Sequence, residues 1–258
     1  MRRIAIITGA SRLDGIGKTI CCELAEKGFD IFFTYWRKYD SQMPWKTLEN
    51  EPDLIEIEIK KTGVRCEKLE LDLSLEKSYD ILLNEVEAKL GKPTVLVNNA
   101  TYSTQTDIKT ITESELDKHY AVNMKATTML TVEFIKRFDG KKNGRIINLT
   151  SGQSLSAMSS EIAYAITKGA IETLTTTLAR EAALKGVTIN AVNPGLTDSG
   201  WLSESEKTKW RKYFPMGRLG EPKDVARLIA FLSSPEAEWI TGQIIHSEGG
   251  FNRENYDL

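Results

Sequence analysis

Tyr164 and Lys168 stand four residues apart, a spacing that puts both on one face of a helix. A free phenol has a pKa of about 10 and is a poor proton shuttle at neutral pH, but a neighbouring ammonium favours the phenolate and lowers that value. The pair could therefore move a proton. The pattern alone is cheap, because eight tyrosines give about one such match by chance. Its surroundings decide. Ser151 lies thirteen residues earlier, just past the run RIINL at 145–149. A hydroxyl at the carboxyl end of a strand faces the crevice where a carbonyl could lie. Asn123 falls inside a predicted helix although asparagine is a poor helix former. It serves either this site or a local backbone carbonyl.

A second chemical signal opens the chain. Residues 8–17 read TGASRLDGIG and join an apolar run to a helix pattern. Glycines let the backbone approach a phosphate, and a helix N-terminus offers free N–H groups and partial positive charge. The spacing fails the G-x-G-x-x-G fingerprint, so a turn without a ligand stays open. An acidic residue that grips a ribose 2′-hydroxyl would sit near the end of the second strand. Here the strand ends in Thr34-Tyr35-Trp36-Arg37-Lys38, with no carboxylate until Asp40. Arg12 and Arg37 instead suit a 2′-phosphate, predicting NADP(H) in preference to NAD(H); a solvated basic cluster is the bland alternative.

These groups need elements to position them. Strands are predicted at 2–8, 30–36, 64–71, 94–98, 145–149, 187–192 and 243–247. Helices are predicted near 15–27, 53–62, 75–90, 113–138, 162–185 and 222–233, with an extended loop over 37–52. Strands alternating with helices of this length indicate βαβ units, a mostly seven-stranded parallel sheet and helices on both faces. The fold class is α/β: one doubly wound, Rossmann-type domain over residues 1–258.

Composition narrows the partners. A chain of 258 residues, 41% hydrophobic and 27% charged, is neither a mini-protein nor disordered. A net charge of −2 argues against nucleic acid as the main partner. Three cysteines, two of them adjacent, give no disulfide framework, and two histidines far from them make no zinc site, so no metal is predicted. A reducing, cytoplasmic setting fits. No run approaches the ~18 apolar residues of a membrane span.

The ordered motifs resemble the short, single-domain branch of the short-chain dehydrogenase/reductase family. They are the T-G turn ending in G-I-G, Asn98-Asn99-Ala100, Asn123, Ser151, Tyr164-x-x-x-Lys168, Asn193-Pro194-Gly195 and the late glycines 242, 249 and 250. They cover residues 2–251, and the chain looks most like 3-oxoacyl-[acyl-carrier-protein] reductases. The resemblance implies a reductase that turns a ketone into a secondary alcohol, or the reverse. Tyr164 would be the acid/base, Lys168 would bind the nicotinamide ribose and lower the tyrosine pKa, and Ser151 would orient the carbonyl. Asn123 would hold a water of the proton relay. Cofactor contacts would come from Gly9, Ser11, Arg12, Gly15, Ile16, Gly17, Arg37, Asp72, Leu73, Asn99, Ala100, Tyr164, Lys168, Pro194, Gly195 and Ser199. Ile189 or Pro194 would touch the nicotinamide side, and Asn98 would stabilise the sheet. The substrate would be a small carbonyl or alcohol, or an acyl thioester, the last with Lys142 and Lys185 facing an acidic carrier. The assembly would be a homotetramer or homodimer.

Departures from the family pattern are also visible. The glycine turn carries two extra residues, Leu13 and Asp14, and the 37–52 stretch is long and brings Trp45. Thr101 replaces the glycine expected after Asn-Asn-Ala, and Ser199 stands where a threonine is usual. The segment 196–215, with Trp201, Leu202, Trp210, Tyr213 and Phe214, corresponds to the substrate loop, either an apolar lid or a packed surface helix. Leu155 and Met158 are further candidates to line the pocket. A non-catalytic NADP(H)-binding sensor with this fold is the competing reading, and the complete Asn123, Ser151, Tyr164, Lys168 set speaks against it.

Overall fold

A computed structural model describes residues 3–253 apart from 44, 46 and 141. Arg2 of the predicted first strand, two positions of the predicted 37–52 loop and residues 254–258 of the predicted domain lie outside the described residues.

Seven parallel strands form one sheet in the order β3-β2-β1-β4-β5-β6-β7. They are β1 (Ile4–Ile7), β2 (Asp30–Tyr35), β3 (Cys66–Glu70), β4 (Val95–Asn98), β5 (Gly144–Leu149), β6 (Val187–Asn193) and β7 (Ile244–His246). The period-2 alternation of a strand sends successive side chains to opposite faces. Ala5 and Ile7 accordingly join one core cluster, and Ile4 and Ile6 the other. Ile31 and Phe33 part from Phe32 in the same way, which is why these strands read as continuous apolar runs.

One face is covered by α1 (Ile16–Glu26), α3 (Glu51–Lys60) and α9 (Pro222–Leu232), through Ile20, Leu24, Ile55, Ile59, Val225 and Ile229. The other is covered by α4 (Ser78–Lys89), α6 (Thr127–Arg137) and α7 (Ile162–Leu184), through Leu82, Val86, Leu130, Phe134 and Ala182. Crossovers leave β1 toward β2 and return to β4 on its other side, so a crevice opens between the carboxyl ends of β1 and β4.

Three predicted features change and one left open resolves. The 37–52 loop holds a short helix, α2 (Arg37–Asp40), and α3 starts at Glu51 because Pro52, in the first turn, begins a helix rather than breaking one. The predicted helix 113–138 is three pieces: α5 (Glu113–His119), a π-helical turn (Tyr120–Ala126) and α6. The 196–215 segment, left open between an apolar lid and a packed surface helix, contains a helix, α8 (Glu204–Arg211), starting at a capping box in which Ser203 and Glu206 satisfy each other's backbone N–H. Ile189 is fully buried in the core of β6, so Pro194, not Ile189, faces the crevice. All three cysteines are free, as their spacing implied. No described helix is long and apolar enough to cross a membrane.

A chain of buried side-chain hydrogen bonds fixes the sheet against the helices that carry the chemistry. Asn98 Nδ2 on β4 donates to Asn148 Oδ1 on β5 (2.8 Å) and to Thr131 Oγ1 on α6 (3.1 Å). Asn148 Nδ2 donates in turn to Thr175 Oγ1 on α7 (3.0 Å). Asn148→Ala removes an acceptor from the buried Asn98 amide and a donor from the buried Thr175 hydroxyl, leaving them their bonds to Thr131 and to the Ile171 carbonyl. It is expected to cost roughly 2–4 kcal/mol, read as a lower urea midpoint with an unchanged slope.

Candidate active site

The glycine turn follows β1 and is held shut by its neighbours. Thr8 Oγ1 accepts from the backbone N–H of Asn99 and Ala100 (both 3.0 Å), and Asn99 Nδ2 donates to the carbonyls of Thr8 (2.9 Å) and Gly9 (2.8 Å). Two glycines are required here. Gly9 has φ +76°, and a Cβ on Gly17 would lie 2.3 Å from the Gly9 carbonyl oxygen. From this turn a cleft of about 1260 Å³ runs past Asp72 and Leu73 to Ser151 and Tyr164. A pocket of that length beside a glycine turn and a helix N-terminus accommodates a dinucleotide with a substrate at its far end.

Tyr164 and Lys168 sit in the first two turns of α7. Lys168 is 4% exposed; its Nζ donates to the Leu149 carbonyl at the end of β5 (2.8 Å) and lies 5.4 Å from the Tyr164 ring centroid. Thr150 Oγ1 donates back to the Lys168 carbonyl (3.2 Å). Burial pushes the Lys168 ammonium down to about 8. Burial pushes the Tyr164 phenol up, the nearby Glu161 charge adds to this, and the neighbouring Ser151 hydroxyl pulls it back down.

Asn123 lies in the π turn and is 1% exposed. Its Oδ1 accepts from Tyr102 N (2.7 Å) and Thr101 Oγ1 (3.1 Å); its Nδ2 donates to Tyr102 O (2.9 Å) and Thr167 Oγ1 (3.1 Å). Both lone pairs and both N–H groups are taken. The amide is therefore saturated and ties the loop after β4 to α7.

The family model described as enoyl-(acyl carrier protein) reductase matches residues 9–252. The Bacillus subtilis uncharacterized oxidoreductase YjdA is 48% identical over 253 residues, 97% of each chain. The Staphylococcus epidermidis 3-oxoacyl-[acyl-carrier-protein] reductase FabG is 33% identical over 253 residues, 97% of this chain and 99% of that one. The angucycline C-6 ketoreductase LanV with bound NADP superposes with a TM-score of 0.83 at 29% identity, over 96% of this chain and 95% of that one. The chain belongs to the short-chain dehydrogenase/reductase family.

As a short-chain dehydrogenase/reductase it is an oxidoreductase of a family that binds nicotinamide cofactors, and the predicted site residues divide unevenly along its cleft. Gly9, Ser11, Arg12, Gly15, Ile16, Gly17, Asp72, Leu73, Asn99, Ala100, Ser151, Tyr164, Pro194, Gly195 and Ser199 line it; Asn123 and Lys168 lie behind the wall. Arg37 is not part of the lining. Its guanidinium reaches back to Thr47 Oγ1 (3.5 Å), and the next residue, Lys38, lines the cleft instead. Met158 lines it as predicted and Leu155 does not. The Thr101 hydroxyl is spent on Asn123 rather than on a ligand.

The two family departures at the glycine-turn end of the cleft turn out to be one feature. Glu51, 6% exposed, accepts from Leu13 N in the lengthened glycine turn and from Leu48 N in the long 37–52 stretch (both 2.7 Å). Asp14 is exposed and outside the cleft lining, so the longer turn carries its charge outward. Arg12 stacks on the Trp45 ring, 4.3 Å from its centroid, and donates to the Ser199 carbonyl (3.0 Å). Buried Asp40 faces it; Asp40 is pushed up by burial and drawn down by Ser11, Trp45 and Arg12.

The substrate end shows what the sequence reading missed. Tyr39 packs at a tilt against Tyr102 (5.6 Å between centroids), and Tyr102 meets His119 edge-on (4.9 Å). Leu202, Phe214 and Leu219 form a small core with Leu196, Trp210 and Phe251. The 196–215 segment is thus both alternatives at once: a packed helical lid that presents Trp201, Leu202 and Trp210 to the cleft. The chain end closes over it, with Arg253 paired to Glu248 and donating to Ser156 Oγ (3.2 Å). These contacts join residues as far as 97 positions apart, a range at which no local pattern gives a signal.

Proposed function

We propose that this protein is an NADP(H)-dependent reductase that converts a ketone to a secondary alcohol, and runs in reverse when the alcohol is supplied. The observation that carries this reading is the hydroxyl pair Ser151–Tyr164 at the end of a dinucleotide-sized cleft, with a buried ammonium behind it. A nicotinamide cofactor, when bound, supplies the hydride. Ser151 orients the carbonyl and polarises it. Tyr164, kept protonated by burial, donates its proton to the developing alkoxide. Lys168 stabilises the phenolate left behind, and Asn123 positions rather than reacts, by fixing α7 against the loop after β4.

Gly9, Gly15, Gly17 and the N-terminus of α1 would hold the pyrophosphate, and Asp72 with Leu73 the adenine. Arg12 and Lys38 at the adenosine end, with an NADP complex among the structural neighbours, support NADP(H) over NAD(H). The 3-oxoacyl thioesters named for FabG are the first substrates to try. Exposed Leu116, Tyr120 and Ile166 on α5, the π turn and α7 support an assembly through those helices.

Tyr164→Phe is expected to lower kcat for NADPH-dependent ketone reduction by about 10³-fold or more, while NADPH still quenches tryptophan fluorescence with a similar Kd. Unchanged turnover would sink the mechanism. Arg12→Ala removes a charge-assisted hydrogen bond, so the ratio of kcat/KM for NADPH over NADH should fall roughly tenfold or more; an unchanged ratio would move the 2′-phosphate away from Arg12. Lys168 has its pKa depressed to about 8, so the cation is present below that pH and lost above it. Reduction should therefore be level around neutrality and fall as pH rises through about 8, and a profile flat to about pH 10 would remove the lysine charge from the mechanism.

A further inference from the structure

The substrate end of the cleft holds one carboxylate that neither the fold nor the proposed reaction uses. Glu161 lies three residues before Tyr164, at the N-cap of α7, and lines the cleft with Ser151, Met158 and Tyr164. Its backbone is committed: the N–H donates to Met158 O (3.0 Å), the carbonyl accepts from Ala165 N (2.8 Å), and it bridges to Thr106. Its side chain is not. It makes no capping bond to α7, and among the described residues no N–H, hydroxyl or cation donates to it.

Three of the other carboxylates along the cleft are engaged: Glu248 is held by Arg253 and by Asn193 Nδ2 (2.7 Å), Glu206 caps α8 through Ser203, and Asp72 turns onto Ser74. Asp40 has Arg12 as a charged neighbour, with its Oδ2 buried and without a hydrogen-bond partner. Glu161 is half-buried, and burial raises its pKa with no neighbouring cation to offset that. A substrate seated against Tyr164 strips more water from this group. That is unfavourable unless the substrate itself brings a donor. The Tyr39, Tyr102 and Trp210 rings line the same cleft, and an aromatic ring attracts a cation.

We propose that Glu161 selects carbonyl substrates that carry a hydrogen-bond donor, a protonated amine or a hydroxyl, within a few bonds of the reacting carbon. The proposal rests on the ketone-reducing role proposed for Tyr164. Glu161 and Tyr164 are three residues apart at the start of α7 and line the same cleft, so a short substrate can reach both groups. A plain ketone or a 3-oxoacyl thioester offers the carboxylate only acceptors.

Three ketones of similar size test this with the full-length protein: butanone, hydroxyacetone and dimethylaminoacetone, each with NADPH and with NADH. The expected result is a kcat/KM at least about tenfold higher for one or both donor-bearing ketones than for butanone, which also tells the amine from the hydroxyl. Glu161→Ala should bring that advantage within about twofold of unity. Glu161→Gln, which keeps an acceptor but no charge, should retain a hydroxyl preference and lose an amine preference. A wild-type ratio near one overturns the proposal without any variant. So does an advantage unchanged in Glu161→Ala, or an equal fall for all three ketones, which would make Glu161 a positioning residue for Tyr164. Failure of the wild type to reduce any ketone, 3-oxoacyl thioesters included, overturns the reductase reading and the proposal together, whereas a failed ratio overturns the proposal alone.

Discussion

A buried ammonium donated to the last carbonyl of a strand organises the reaction end of this protein. Lys168 gives its Nζ to Leu149, and Thr150 returns a hydroxyl to the Lys168 carbonyl, so α7 and β5 hold each other at the point where the strand ends. Removing a cation from water is expensive, and one carbonyl does not fully compensate it. The depressed lysine pKa records that shortfall. Everything nearby depends on the contact. It sets the height of α7 along the sheet, which places Tyr164 one turn earlier beside Ser151. The Asn98–Asn148–Thr175 chain sets the same helix from further inside.

The site is thus a place where burial opposes charge and little in the protein offsets it. Tyr164 and Glu161 are pushed up and Lys168 down, each with burial as the leading cause. Asp30, away from the cleft, is 1% exposed and takes both a backbone N–H and the guanidinium of Arg65. Arg145, equally buried, is met only by the carbonyls of Gly144 and Ser234. What distinguishes the cleft is that three such groups gather in one place, which is the electrostatic character of a binding site.

Much of this was legible in the sequence because the relevant signals are local. Tyr164 and Lys168 share one helix, the glycine turn is contiguous, and the strands run apolar because both faces are covered. The misreadings have the same origin. Asn123 was recognised, but the four groups that exhaust its amide come from Thr101, Tyr102 and Thr167, so its positioning work was invisible. Arg37 has the right charge in the right place along the chain, and only the fold of 37–52 turns it back toward Thr47. The helix at Glu204–Arg211 stayed only one of two alternatives for a different reason. It buries no residue and so has no apolar stripe, yet its Ser203–Glu206 capping box was there to be read.

The lengthened glycine turn and the long 37–52 stretch looked like separate departures, and Glu51 makes them mutually dependent. A turn two residues longer presents Leu13 N with no partner of its own, and a carboxylate arriving on α3 satisfies it together with Leu48 N. Either feature without the other leaves a half-buried donor or a buried acid unmatched, which costs more than having neither. Arg12 extends the linkage. It rests on Trp45 from the long stretch and holds the Ser199 carbonyl of the 196–215 segment. One guanidinium thus joins the lengthened turn, the 37–52 stretch and the lid, so the two departures and the lid form one connected unit along the cleft.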